Sequence, residues 1–128
     1  MRNNMMRILL FHINVFKQNS ICDLCKDLGI DVSVASEADL SRTIGQIAGI
    51  QAAPGYTSKP GRPVPFHEEM MVFCGLDPNQ LDLFLTKYRQ REISPVTLKA
   101  VLTPYNARWT PGRLCVELKK EQHSLGGE

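Results

Sequence analysis

Apolar and polar positions follow two alternating periods along this 128-residue chain. Ile8 to Phe11 is an unbroken apolar run, as expected of a strand covered on both faces. Ile21, Leu24, Cys25 and Leu28 then recur at the helical spacing, and Gly29 closes the pattern. Asp31 to Ser36 alternates, with Val32 and Val34 on one face. From Ser36 the helical period returns. Asp39 can complete a capping box with Ser36, Leu40, Ile44, Ile47 and Ala48 form the stripe, and Gly49 stops it.

The second half follows the same plan. Met70 to Cys74 is an apolar run, and Asp77 caps a helix with Pro78 at its first position and Gln80 at its third. Leu81, Phe84, Leu85 and Tyr88 form its stripe, each sixty residues beyond a stripe position of the first helix. That register matches Cys22 with Asp82 and Cys25 with Leu85. Val96 to Thr103 reads as the next strand, and Thr110-Pro111 opens the last helix.

Residues 1–50 and 67–128 therefore each read β-α-β-α, joined by a stiff connector at 51–66 that holds Pro54, Gly55, Pro60, Gly61, Pro63 and Pro65. Two strands and two helices cannot cover both faces of their own sheet. The expected fold is a single α/β domain whose halves share one sheet of about four strands with helices packed on it. Each β-α-β unit makes its two strands parallel neighbours. The pattern does not say how the halves meet at the centre.

Composition narrows the function classes. Apolar residues at 43% and charged residues at 22% fit a globular chain, and a formal charge of +2 is too small to suggest a nucleic-acid partner. The basic, apolar N-terminus resembles a signal peptide, but His12 and Asn14 break it and no small-residue cleavage site follows. No run approaches the length of a membrane span. The expected compartment is cytoplasmic, with Cys22, Cys25, Cys74 and Cys115 as reduced thiols.

The densest stretch is LKAVLTPYNARWTP, residues 98–111. Leu98, Ala100 and Leu102 share the core face of a strand, while Lys99, Val101 and Thr103 share the other. A lysine there blocks edge-to-edge pairing, or serves a site if buried. Pro104 fixes the exit from the strand and Asn106 suits an Asx-type turn. Trp109 stands before the cap Thr110 and Leu114 is the fourth helical residue, which is hydrophobic-staple spacing.

Other candidates are thinner. Cys22 and Cys25 make a CxxC inside a helix rather than at its start, so metal or redox work through them is a weak alternative to a core and a surface cysteine. Gly75 follows a strand and precedes a helix, where open α/β sheets bind ligands, but no phosphate-binding glycine motif is present. If the halves met as parallel strands, His12, Gly75, Thr103 and Asn106 would line one carboxyl-end rim, with Lys99 nearby.

VTLKAVLTPYNARWT, the later ELKKE and the upstream MMVFCGLDPNQLDLFL resemble a bacterial Domain of Unknown Function family, DUF3783. The matching positions are Leu98 to Pro104, Asn106, Trp109 and Glu117 to Lys119. The resemblance covers the second half, and the first half only by its plan. It implies a small α/β fold and a bacterial source, and carries over no catalytic residue. The sequence thus points to a non-enzymatic binding or interaction module without cofactor, acting on a protein partner, on another copy of itself or on a small ligand. The alternative is a ligand sensor or enzyme built at the rim.

Overall fold

The computed structural model of the protein describes residues 6–49 and 63–126, with side chains through residue 122. Most of the expected connector, residues 51–62, lies outside the described residues. Among the described residues four strands form one mixed sheet in the order β2-β1-β3-β4: β1 Arg7–Phe11, β2 Asp31–Val34, β3 Met70–Cys74 and β4 Leu98–Val101. The helices are α1 Val15–Leu28, α2 Ile44–Ala48, α3 Pro78–Gln90 and α4 Pro111–Gly126. As each β-α-β pattern requires, β2 lies parallel to β1 and β4 parallel to β3.

The junction of the halves is antiparallel: Leu9 faces Val72 across β1 and β3. These central strands carry unbroken apolar runs because both their faces are covered. On one face Ile8, Leu10, Met71 and Phe73 pack with Ile21, Leu24 and Cys25 of α1 and with Phe84 and Tyr88 of α3. On the other, Leu9, Phe11, Val72 and Leu98 pack with Ile44 of α2 and Leu114 and Cys115 of α4. The result is a sheet between two helical layers.

The antiparallel register is symmetric about Leu9 and Val72, which stand opposite each other 63 residues apart. β1 and α1 map onto β3 and α3 at an offset of 63 residues, not sixty, since Arg7 and Val15 open the elements that Met70 and Pro78 open in the second half. The caps agree: Asn14 accepts from the Lys17 N–H as Asp77 does from the Gln80 N–H. So do the left-handed positions, His12 (φ 60°) with Gly75 (φ 77°) and Gly29 (φ 74°) with Glu92 (φ 59°). Cys22 therefore matches Leu85 and Cys25 matches Tyr88. The hydrophobic stripes by themselves fit an offset of sixty, because a slip of about one helical turn keeps a stripe nearly in phase.

After β2 and β4 the offset becomes 67. Ser36, Asp39, Thr43 and Gly45 correspond to Thr103, Asn106, Thr110 and Gly112. The single helix expected from Ser36 is in fact two pieces. A 3-10 turn at Glu37–Ser41 carries the predicted capping box, and a new cap, Thr43, starts α2. A matching 3-10 turn, Asn106–Arg108, precedes α4. The strands end earlier than the patterns suggested, β2 at Val34 and β4 at Val101.

Candidate interaction site

The carboxyl-end rim divides. Because β1 and β3 run in opposite directions, His12 leaves the sheet at one end, while Gly75 and Thr103 leave it at the other. The exposed His12 ring sits edge-on to Phe66, with centroids 4.5 Å apart. A crevice of about 210 Å³ lies beside it at the ends of β1 and β2, bordered by Ser36 and Glu37. That is smaller than the roughly 300 Å³ at which small-molecule sites begin.

At the opposite end, the polar groups of the opening motif bond to each other. Asn106 is buried. Its Oδ1 accepts from the Thr103 N–H at 2.9 Å, its Nδ2 donates to the Val101 carbonyl at 2.9 Å, and its own N–H donates to Thr103 Oγ1 at 3.1 Å. Thr110 is also buried, and its Oγ1 accepts the Arg113 N–H. Trp109 joins the core cluster that holds Leu114, and the Arg113 guanidinium lies 4.6 Å from the centre of its ring. Pro104 is exposed in the turn. The motif thus welds β4 to α4, with both the Oδ1 and the Nδ2 of the buried amide bonded to the backbone.

Lys99 stands apart. It is exposed on edge strand β4, its Nζ donating to the Val96 carbonyl at 3.2 Å. Met71 lies beside it on β3, on the face covered by α1 and α3. Since β4 lies outside the shelter of α3, a groove of about 550 Å³ opens there. Met71, Leu85, Tyr88 and Ile93 supply its apolar walls, and Arg89 and Lys99 its charges. The Tyr88 hydroxyl donates to the Ser94 carbonyl at 2.6 Å and pins the loop that closes one end. Burial pushes that hydroxyl up to about 12, so it stays a donor.

The groove runs beside unpaired backbone. The Leu98 and Leu102 N–H groups donate inward to the carbonyls of Glu69, just before β3, and of Phe73 within it, so alternation turns the N–H groups of Lys99 and Val101 outward. Val101 is 47% exposed and extends the apolar strip. The sequence marked Lys99 as an edge lysine but missed Leu85, Arg89 and Ile93 as its neighbours. Leu85 reads as a stripe position of the third helix, and the loop after α3 is five residues longer than the loop after α1.

The cysteines offer a different chemistry. Desolvation holds Cys22 above its ordinary range and pushes Cys25 to about 12, with the neighbouring sulfur adding to it. Burial likewise takes Cys74 to about 11. Cys115 reaches about 11 by burial and by its hydrogen bond to Glu68. Thiolates are the reactive and metal-binding form. Among the described residues no cluster of three or more His, Cys, Asp or Glu could hold a metal ion, and no helix is long and apolar enough to cross a membrane.

Residues 69–125 match the family model described as Domain of unknown function (DUF3783). Neither a curated protein nor a solved structure matches the chain. The matched stretch spans β3, α3, β4, the Asn106 turn and nearly all of α4, so the β-α-β-α unit that carries the groove is the part of the chain similar to the DUF3783 family.

Proposed function

We propose that this protein is a non-enzymatic interaction module that takes up an extended segment of a partner protein along the open edge of β4. The observation that carries this reading is the apolar groove lying beside outward-facing N–H groups. Strand addition draws affinity from such backbone groups and selectivity from pockets for alternate side chains. The family resemblance and four free thiols favour a bacterial cytoplasmic setting. The matching caps and left-handed positions favour an internal repeat of one β-α-β-α unit, of which the second copy carries the groove.

The alternative, a ligand sensor or enzyme at a shared rim, is left with Gly75 and Thr103 at one end and His12 at the other. The test uses eight-residue peptides selected from a random displayed library on the immobilised protein. They should bind wild type and fail on Val101→Pro, which removes an outward N–H without touching the pairing to β3. Circular dichroism of the variant should match wild type. Equal binding to both proteins would rule out the edge of β4 as the site.

A further inference from the structure

Resting on that reading, we infer that the segment bound at β4 is short and acidic, with carboxylates flanking one apolar residue. Length follows from how the edge is capped. The Thr97 carbonyl accepts from Gln122 Nε2, and the Val101 carbonyl accepts from Asn106 Nδ2. Between them the alternation leaves the Lys99 N–H and C=O and the Val101 N–H, enough to order only a few residues of an added strand.

Charge follows from the cations on the groove. Lys17, Arg42, Arg91 and Lys119 each pair with a carboxylate of this chain. Lys99 and Arg89 are exposed and have no such partner among the described residues. An added strand places its side chains directly and diagonally opposite Lys99 and Val101 on the groove face. An acidic residue answers Lys99 or Arg89, and an apolar residue two positions away covers Val101 and the groove walls. A fatty acid would satisfy the charge and the walls but leave the outward N–H groups bare, so the open edge favours a polypeptide.

Two capped peptides test this, Glu-Thr-Val-Thr-Glu and Lys-Thr-Val-Thr-Lys, titrated into isotope-labelled protein while the amide resonances of Lys99 and Val101 are followed. The palindromic pattern removes any dependence on strand direction. The Glu peptide should bind roughly tenfold more tightly than the Lys peptide, and Lys99→Glu should reverse the order. Equal binding of the two peptides would overturn the charge assignment while leaving strand addition standing. If neither peptide moves those amides, the proposed function itself falls. Displacement of the Glu peptide by octanoate at comparable concentration would give the groove to a lipid. A dimer that forms without peptide and is lost in Val101→Pro would give it to a second copy.

Discussion

The turns after β2 and β4 each start with a short 3-10 helix, and Asp39 holds the place in the first that Asn106 holds in the second. Asp39 accepts from the Ser36 N–H at 2.9 Å, and Asn106 accepts from the Thr103 N–H at the same distance. Asp39 then turns to Arg42, at 2.9 Å on the surface, whereas Asn106 spends its NH2 on the Val101 carbonyl at the strand edge. None of the first turn's residues is buried; Asn106 and Ala107 of the second are. A carboxylate has no proton to give the strand and must stay near water, while an amide satisfies itself inside the protein. The carboxylate thus suits the surface turn and the amide the buried joint, where it also caps the Val101 carbonyl at the edge of β4.

The largest way to break this comparison is Gly112→Ala. A Cβ there would fall 1.8 Å from the Val64 carbonyl oxygen, a backbone atom that cannot step aside. Urea unfolding should show a loss above about 3 kcal/mol. Gly45→Ala meets the Ala107 carbonyl at 3.1 Å and should cost clearly less. Trp109→Ala follows, at about 2 to 3 kcal/mol for a partly buried aromatic, read as a fall in melting temperature. Its counterpart Arg42, an exposed residue, should tolerate alanine with little change.

Asn106→Asp makes the second turn chemically like the first. It removes the donor to Val101 and buries a charge, so a loss of about 2 kcal/mol at neutral pH is expected. The reverse exchange, Asp39→Asn, should cost under about 0.5 kcal/mol at neutral pH, because Asn caps as well as Asp. Its signature is pH dependence. The Ser36 N–H, foremost among several donors, holds the Asp39 carboxyl below its ordinary 3.8. Its contribution is therefore complete above that value and fades as pH falls through the lowered one. The gap between wild type and Asp39→Asn should close in acid, as followed by unfolding curves from pH 7 downward. A gap that stays constant would mean that the Asp39 bonds add nothing.

The sequence made the elements legible where a local rule forces the choice. Asp77-Pro78 and Gln80 mark the start of α3, and both central strands are read from their apolar runs. What it could not carry is relational. A helical stripe slipped by three residues still looks like a stripe, so the stripes fit an offset of sixty as well as one of 63, whereas the left-handed positions, His12 with Gly75 and Gly29 with Glu92, fit 63. Strand direction at the junction leaves no mark on a strand buried on both faces, so His12 was grouped with residues at the far end of the sheet. Lys99 was readable as an edge residue from alternation alone. The groove beside it depends on how far α3 reaches across β4, which no spacing states.

One feature of the packing bears on how the molecule unfolds. Each of the short-turn helices leans on the other half: α2 packs on the Asn106–Arg108 turn, the Ile44 N–H donating to the Trp109 carbonyl at 2.8 Å, while α4 reaches the Glu37–Ser41 turn. Neither half can finish its own hydrophobic face before the other is in place. Melting should proceed as a single cooperative event, with calorimetric and van't Hoff enthalpies in agreement, rather than half by half. Weakening the Ser36 turn, far from the groove, would then lower the population able to bind there without altering the groove itself.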